Sequence, residues 1–490
     1  MPERLDFSRP HPLFDTAATR RIEQAAAAAL PAHALMQRAG LAAARLALAL
    51  APHARAVWIA CGPGNNGGDG LEAAMHLRRW GGNPVVTWLG SPDQAPADAR
   101  ASWQRAREAG VRFAEQPPAG LQAQDLCIDA LLGIGATRPP AGRLAEWLRE
   151  LRAQPAPLLA IDLPTGLNAD TGAAFDSPAA ASPARHTLSL LTLKPGLFTA
   201  HGRDACGQIW FDDLGVAPAE PPTAWLNAPP APAHRPHASH KGSYGDVAVI
   251  GGETRAGGAM TGAALLAARA ALHAGAGRVY VSLLGTPALP GDAAQPELMF
   301  RAPQELPLPA LTVVCGCGGG QAVAALLPAA LEQAARLVLD ADALNALAAQ
   351  APLADRLRQR ARQGQPTVLT PHPLEAARLL GGSAAQVQQD RLAAARALAE
   401  RFEAVVVLKG SGSIIAAPGQ TPRVNPTGCA RLASPGTGDV LAGLIGARLA
   451  TGLPAFEAAC ASVYQHGAAA DHWPAPAALT AAALARALTP

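Results

Sequence analysis

The sequence predicts an α/β fold, with two doubly wound units in which helices cover both faces of a largely parallel sheet. Short, wholly apolar runs alternate with helix-length stretches in both halves of the chain, as expected of parallel strands buried on both sides. Several of those runs lead directly into glycine-rich turns. Over residues 216–239, VAPAEPPTAWLNAPPAPAHRPHAS, proline and alanine replace any hydrophobic period, which reads as a linker. The expected division is therefore residues 1–215, a linker at 216–239, and residues 240–490.

The bulk properties agree with that division. A chain of 490 residues has room for two to four domains at about 150 residues each. Glycine and proline reach 48 and 45 copies, enough for many turns but with 49% apolar residues to form cores. A net charge of +3 and the lack of a basic stripe argue against nucleic acid as a partner. The polar, proline-broken N-terminus and the absence of a long uncharged apolar run predict a cytoplasmic protein with no membrane partner. Seven scattered cysteines without a CxxC pair suggest neither a disulfide framework nor a zinc site. His234, His237 and His240, spaced by three in the linker, read as solvated linker residues. Of 40 basic residues only Lys194, Lys241 and Lys409 are lysine; where arginine serves as the general cation, a retained lysine marks a need for a compact ammonium.

In order along the chain, Asp15 can cap a helix from Arg20 to Leu30, and an alanine-rich helix follows over about 33–51. Strands are predicted at 57–60, 85–89, 126–130, 158–163 and 187–193 before the linker. After it they fall at 247–251, 279–283, 311–314, 337–340, 367–370 and 405–409.

The first candidate site is GPGNNGGDG at 62–70, set between a strand and a helix, where loop amides would face an anion. Gly62, Gly64 and Gly67 satisfy GxGxxG, so a nicotinamide oxidoreductase is one reading; the acidic residue expected at the end of the next strand is absent. Asn65, Asn66 and Asp69 add side-chain oxygens beyond what holding a dinucleotide requires. Two more strand ends carry an acid before a glycine turn, Asp129 in DALLGIG and Asp162 in DLPTG; both belong at the ligand crevice of a doubly wound sheet or, alternatively, cap helices. Oxygen donors such as Asn66, Asp129 and Thr165 suit a hard cation rather than zinc.

The second candidate site is Ser434-Pro435-Gly436-Thr437-Gly438-Asp439, opening a helix from Val440 to Leu449. Amides of residues 436–438 would form an anion hole, with the Asp439 carboxylate beside a bound phosphate. Lys409-Gly410-Ser411-Gly412-Ser413 supplies a second phosphate-directed loop. His372, between two prolines in TPHPLE, is expected in a strand-end turn facing ligand. On these residues alone, a kinase of a small hydroxylated metabolite and a non-catalytic nucleotide sensor are also open.

Together, GPGNNGGDG, DALLGIG, DLPTG and Leu193-Lys194-Pro195-Gly196-Leu197 resemble the NAD(P)H-hydrate epimerase domain, which has a Rossmann-like fold. KGSYG at 241–245, TPHPLE, GTGD and HGAAAD at 466–471 resemble the ADP-dependent NAD(P)H-hydrate dehydratase domain, a ribokinase-like fold. The resemblance implies a bifunctional repair enzyme for hydrated NADH and NADPH. It places the hydrate on Asn65, Asn66, Gly67, Gly68, Asp69 and Asp162, on the phosphate-binding stretch Gly133, Ile134, Gly135, Ala136, Thr137, Arg138 and Pro139, and in the second domain on Ala263, Gly318, His372 and Asp439. It places potassium on Asn66, Asp129 and Thr165, and ADP on Lys409, Gly410, Ser411, Gly412, Ser413 and Gly438. Asp162 and Asp439 are the expected catalytic residues, Mg2+ is expected in the second domain, and a homo-oligomer is expected overall. Two departures stand out: threonine at 165 where the family usually has serine, and CGCGGG at 315–320 in place of the usual GPGLG.

Overall fold

The computed structural model describes residues 1–175, 184–232, 235–286 and 291–490; His234 lies outside them. The chain divides into two compact units, Met1–Asp6 with His11–Ala224, and Phe7–Pro10 with Trp225–Pro490.

In the first unit the strands run from edge to edge as Glu3–Arg4, Gln208–Asp212, Arg185–Leu190, Leu158–Ile161, Leu126–Ala130, Val57–Cys61, Pro84–Trp88 and Arg112–Phe113. All neighbours are parallel except the outer pair at Glu3–Arg4. The central strands Val57–Cys61 and Leu126–Ala130 are buried at every position, which accounts for their unbroken apolar runs. Asp15 caps the helix Thr16–Ala29, its Oδ1 accepting from the Ala18 amide at 2.8 Å. That helix begins four residues before the predicted Arg20, at the residue after its cap.

In the second unit the order is Met299–Phe300, Arg278–Gly285, Asp246–Arg255, Thr312–Cys315, Arg336–Leu339, Thr367–Leu369, Val405–Leu408, Ile414–Ala416, Arg423–Val424 and Ala224–Leu226. The sheet is parallel through Val405–Leu408 and then turns antiparallel through two short strands. An alanine-rich layer from the helices Thr261–His273, Thr437–Ala450 and Ala455–Asp471 packs with the sheet's inner residues in a core that includes Val247, Val314 and Leu444. Small side chains allow this closeness: a Cβ on Gly443 would lie 2.0 Å from the Ala267 carbonyl oxygen.

Two expectations change here. The segment expected as linker contains a strand, Ala224–Leu226, paired in parallel with Arg423–Val424, and Asn227 after it is fully buried. Its low-period sequence concealed a strand of three residues. Short strands at Gln208–Asp212, Arg112–Phe113 and Ile414–Ala416 were also unmarked by any long apolar run.

Candidate active sites

The run Asn65–Asp69 is helix, not loop. The helix Asn65–Arg79 starts at Asn65 with Gly64 as its cap, so the glycines there serve packing rather than a flexible turn. A Cβ on Gly67 would lie 2.0 Å from the Gly62 carbonyl oxygen, one on Gly68 would meet Met36 and Ala99, and one on Gly70 would meet Ala130 and Cys61. Because the turn is this tight, the helix N-terminus is brought against the strand ends. There it borders a cavity of about 620 Å³ whose walls include Asn65, Asn66, Asp69, Gly133, Ile134, Gly135, Ala136, Asp162 and Lys194. Of the predicted set, Gly67 and Gly68 are buried beneath this wall, while Thr137, Arg138 and Pro139 are exposed beyond it.

Asp162 sits in the left-handed region at φ +70, a strained backbone state for a residue with a Cβ. One of its oxygens is bound by the Lys194 ammonium and the other accepts from the Ile134 amide at 3.2 Å. Lys194 is 1% exposed and also donates to the Leu190 carbonyl at 2.8 Å. One of the three lysines thus gains a partner that the sequence left unassigned. Asp69 is pushed well above the usual carboxylate range, first by burial and then by Asp162 and Glu23. Glu23, on the first helix, is raised for the same two reasons, burial and Asp162.

Asp129 is buried and accepts from the Thr165 hydroxyl at 2.7 Å, the Thr165 amide at 3.0 Å and the Leu131 amide at 3.2 Å. Burial raises its affinity for a proton, against the pull of the Thr165 bonds. Threonine in the serine position therefore keeps the hydroxyl on the aspartate. Asn66 lies beside Gly133, and both its amide oxygen and its amide nitrogen are buried without a hydrogen-bond partner among the described residues. An unsatisfied buried oxygen is costly unless something unseen occupies it, and it suits a hard cation as its partner.

In the second unit the helix Thr437–Ala450 starts three residues earlier than predicted, with Gly436 capping it at φ +88. Gly438 and Asp439 therefore occupy its first turn, where the amides and the macrodipole favour an anion. Below the turn, the buried His466 ring contacts the Thr437 carbonyl at 2.9 Å, and burial pulls that histidine down to about 4. It stays neutral at physiological pH, and its Nε2 must carry the proton to donate. Asp439 is pushed up to about 7, mainly by burial and then by the charge of Asp340.

Lys409 stands next to this turn, its ammonium 3.4 Å from where a Cβ on Gly438 would lie. It also bonds Asp340 Oδ1 at 2.7 Å and approaches Glu375 at 4.0 Å. Burial lowers its pKa, but the two carboxylates outweigh that and leave it raised. The lysine expected on phosphate is thus committed to a buried carboxylate pair at the mouth of the anion hole. Cys317, Asp340 and Asp439 bring one sulfur and two carboxylate oxygens within 4.8 Å of one another. Ala263 and Gly318 meet there too: Gly318 has φ +57, and a Cβ on it would lie 2.9 Å from that of Ala263. In the Gly410 turn (φ +137), a Cβ would come within 2.8 Å of the buried Arg391 guanidinium, which donates to the Lys409 carbonyl at 3.1 Å.

His372 caps the helix Pro373–Leu380, with Nδ1 accepting from the Leu374 and Glu375 amides and Nε2 3.3 Å from Glu375. The flanking prolines are explained by this capping box; the ring is still 45% exposed. Lys241 is exposed on a single 3-10 turn, and nothing in the structure explains why it is a lysine. Asp340, Glu375 and Glu23 were given no role on sequence; a strand-end position marked Asp340 and TPHPLE contained Glu375, whereas nothing local marked Glu23.

Residues 32–196 match the family described as YjeF-related protein N-terminus, and residues 247–489 match NAD(P)H-hydrate dehydratase. A bifunctional NAD(P)H-hydrate repair enzyme of Escherichia coli is 37% identical over 95% of this chain and 90% of its own length. The chain belongs to this bifunctional repair family. A second relative of the same description, from Leishmania braziliensis, is 37% identical over 94% of this chain and 89% of its own. The ADP/ATP-dependent NAD(P)H-hydrate dehydratase of Bacillus subtilis, a solved structure, is 27% identical over 53% of this chain and 92% of that chain, with a TM-score of 0.41.

Proposed function

We propose that the first unit interconverts the R and S epimers of hydrated NADH and NADPH, and that the second removes water from the S epimer with ADP. The observation that carries the reading is one chain holding both sites, each assembled at strand ends: Asp162 with Lys194 in the first cavity, Asp439 with Lys409 at the second anion hole.

Hydration leaves a hydroxyl on C6 of the dihydronicotinamide ring, beside the ring nitrogen. Hydroxide is a poor leaving group, so its departure needs an acid. In the second unit Asp439, near 7, can hold a proton and still release it at neutral pH. Lys409 and Asp340 set its electrostatic surroundings, and the amides of residues 436–438 bind phosphate. ADP, when bound there, would supply charge and positioning around the reacting hydroxyl, and Mg2+ would be held by the nucleotide and the Asp340 carboxylate. In the first unit Asp162, oriented by Lys194 and the Ile134 amide, handles the proton on the carbinolamine oxygen. Potassium, held by Asn66, Asp129 and Thr165, would supply a fixed positive charge there.

The test is a mixture of R and S hydrates with ADP, followed at 340 nm and by separation of the epimers. Consumption of both epimers with return of reduced cofactor supports the reading. Consumption of only one epimer removes the epimerase function, and phosphoryl transfer from ATP to an unrelated alcohol would move the second site to a kinase.

A further inference from the structure

The cavity of the first unit has a second acid–base pair that takes no part in the site described above. His33 is the cap residue of the helix Ala34–Leu50, yet its side chain makes no capping bond and its backbone is left-handed at φ +66. Instead its Nδ1 meets Oδ1 of Asp98, in the first turn of the helix Ala97–Glu108, at 2.5 Å. Both residues line the cavity together with Asp162 and Lys194. Nε2 of His33 makes no hydrogen bond among the described residues, and the ring is about a third exposed. A non-glycine residue held in the left-handed region costs on the order of 1 kcal/mol, and here that strain turns an imidazole into the cavity rather than onto the helix.

Resting on the epimerase reading, we propose that His33, oriented by Asp98, is the second acid–base group of the epimerase cavity, working with Asp162 on the C6 centre. Inverting C6 through a planar state needs proton handling on two faces. On one face an acid protonates the C6 hydroxyl, the C6–O bond breaks with its electrons leaving on water, and the nitrogen lone pair forms C6=N1. On the other face water adds, the C6=N1 pair returns to nitrogen, and a base accepts the surplus proton. Asp162 with Lys194 comes from strand ends, whereas His33 with Asp98 comes from two helices, so the two pairs approach the cavity from different elements. Glu23 and Asp69 connect them electrostatically, since each feels the charges of both Asp162 and Asp98. The charged groups facing His33 across the cavity are Arg20, Glu23, Asp69, Asp98, Asp162 and Lys194.

The test uses the full chain and separated R and S hydrates without ADP, with interconversion followed by chromatography. H33N keeps a residue that tolerates the left-handed backbone and should lower epimerase kcat by roughly 100-fold or more, with KM changed by less than about threefold and one limb of the pH profile lost. H33G should be similarly slow and be rescued by added imidazole. D98N should also lower epimerase kcat, by less than H33N does, because the imidazole loses the carboxylate that orients it. ADP-dependent dehydration of the S hydrate by each variant reports an intact second unit. Wild-type epimerisation by H33N, or an H33G enzyme that imidazole does not restore, overturns the proposal. If the unaltered chain does not interconvert the epimers, the epimerase reading itself fails.

Discussion

Lys194 and Asp162 form an ion pair at the cavity of the first unit, with the lysine 1% exposed and its ammonium also on the Leu190 carbonyl. Removing one partner of such a pair leaves a buried charge uncompensated. Lys194→Met should lower stability by about 3 kcal/mol, read as a lower urea midpoint, and should abolish epimerisation. Asp162→Asn keeps a polar partner for the ammonium and should lose epimerisation with a smaller stability cost. Equal urea midpoints for the wild type and Lys194→Met would show that the pair contributes nothing.

Asp439→Asn tests the second site in two ways. ADP-dependent dehydration should fall by at least about 100-fold. Stability should move in the opposite direction, with a sign set by pH. Asp439 is pushed up to about 7 from an unfolded value near 4, so the folded state holds the extra proton and wild-type stability declines as pH rises from about 4 to 7. The variant lacks that decline, so it should exceed the wild type by on the order of 1–3 kcal/mol at pH 8 and match it near pH 4. Melting curves at the two pH values check this; an equal difference at both would contradict the assigned ionisation.

Two glycines one residue apart in GxG should differ sharply. A Cβ on Gly62 would lie 1.8 Å from the Leu131 carbonyl oxygen, whereas nothing lies within 4 Å of one on Gly64. Gly62→Ala should cost at least about 2 kcal/mol and disturb the cavity; Gly64→Ala should change stability by less than about 1 kcal/mol. Comparable melting temperatures for the two would mean that the turn relaxes freely.

Potassium should raise the melting temperature of the wild type relative to lithium at equal ionic strength, and epimerisation should slow when potassium is withdrawn. Asn66→Ala removes the buried oxygen that lacks a partner and should abolish both effects. A variant that still responds to potassium would place the cation elsewhere.

Much of this was legible in the sequence because it is local. Apolar runs marked the central strands, since parallel strands buried on both faces leave no polar side. Strand-end acids marked Asp129 and Asp162, and glycine turns marked the helix starts. Boundaries were less legible: the helices at Asn65 and Thr437 begin inside the glycine runs, because contacts with Gly62, Leu131 and Ala267 rather than local propensity set how close those helices lie.

The sequence by itself determined two α/β units, their strand ends and the two glycine-rich turns that open helices, because each rests on periodicity or on a turn of a few residues. Tertiary structure alone decided which charges meet: Lys194 on Asp162 across 32 positions, His33 on Asp98 across 65, and Lys409 on Asp340 across 69. No local pattern encodes such a meeting. It depends on which strand lies beside which and on how closely small residues let the helices approach, and those are properties of the packed chain.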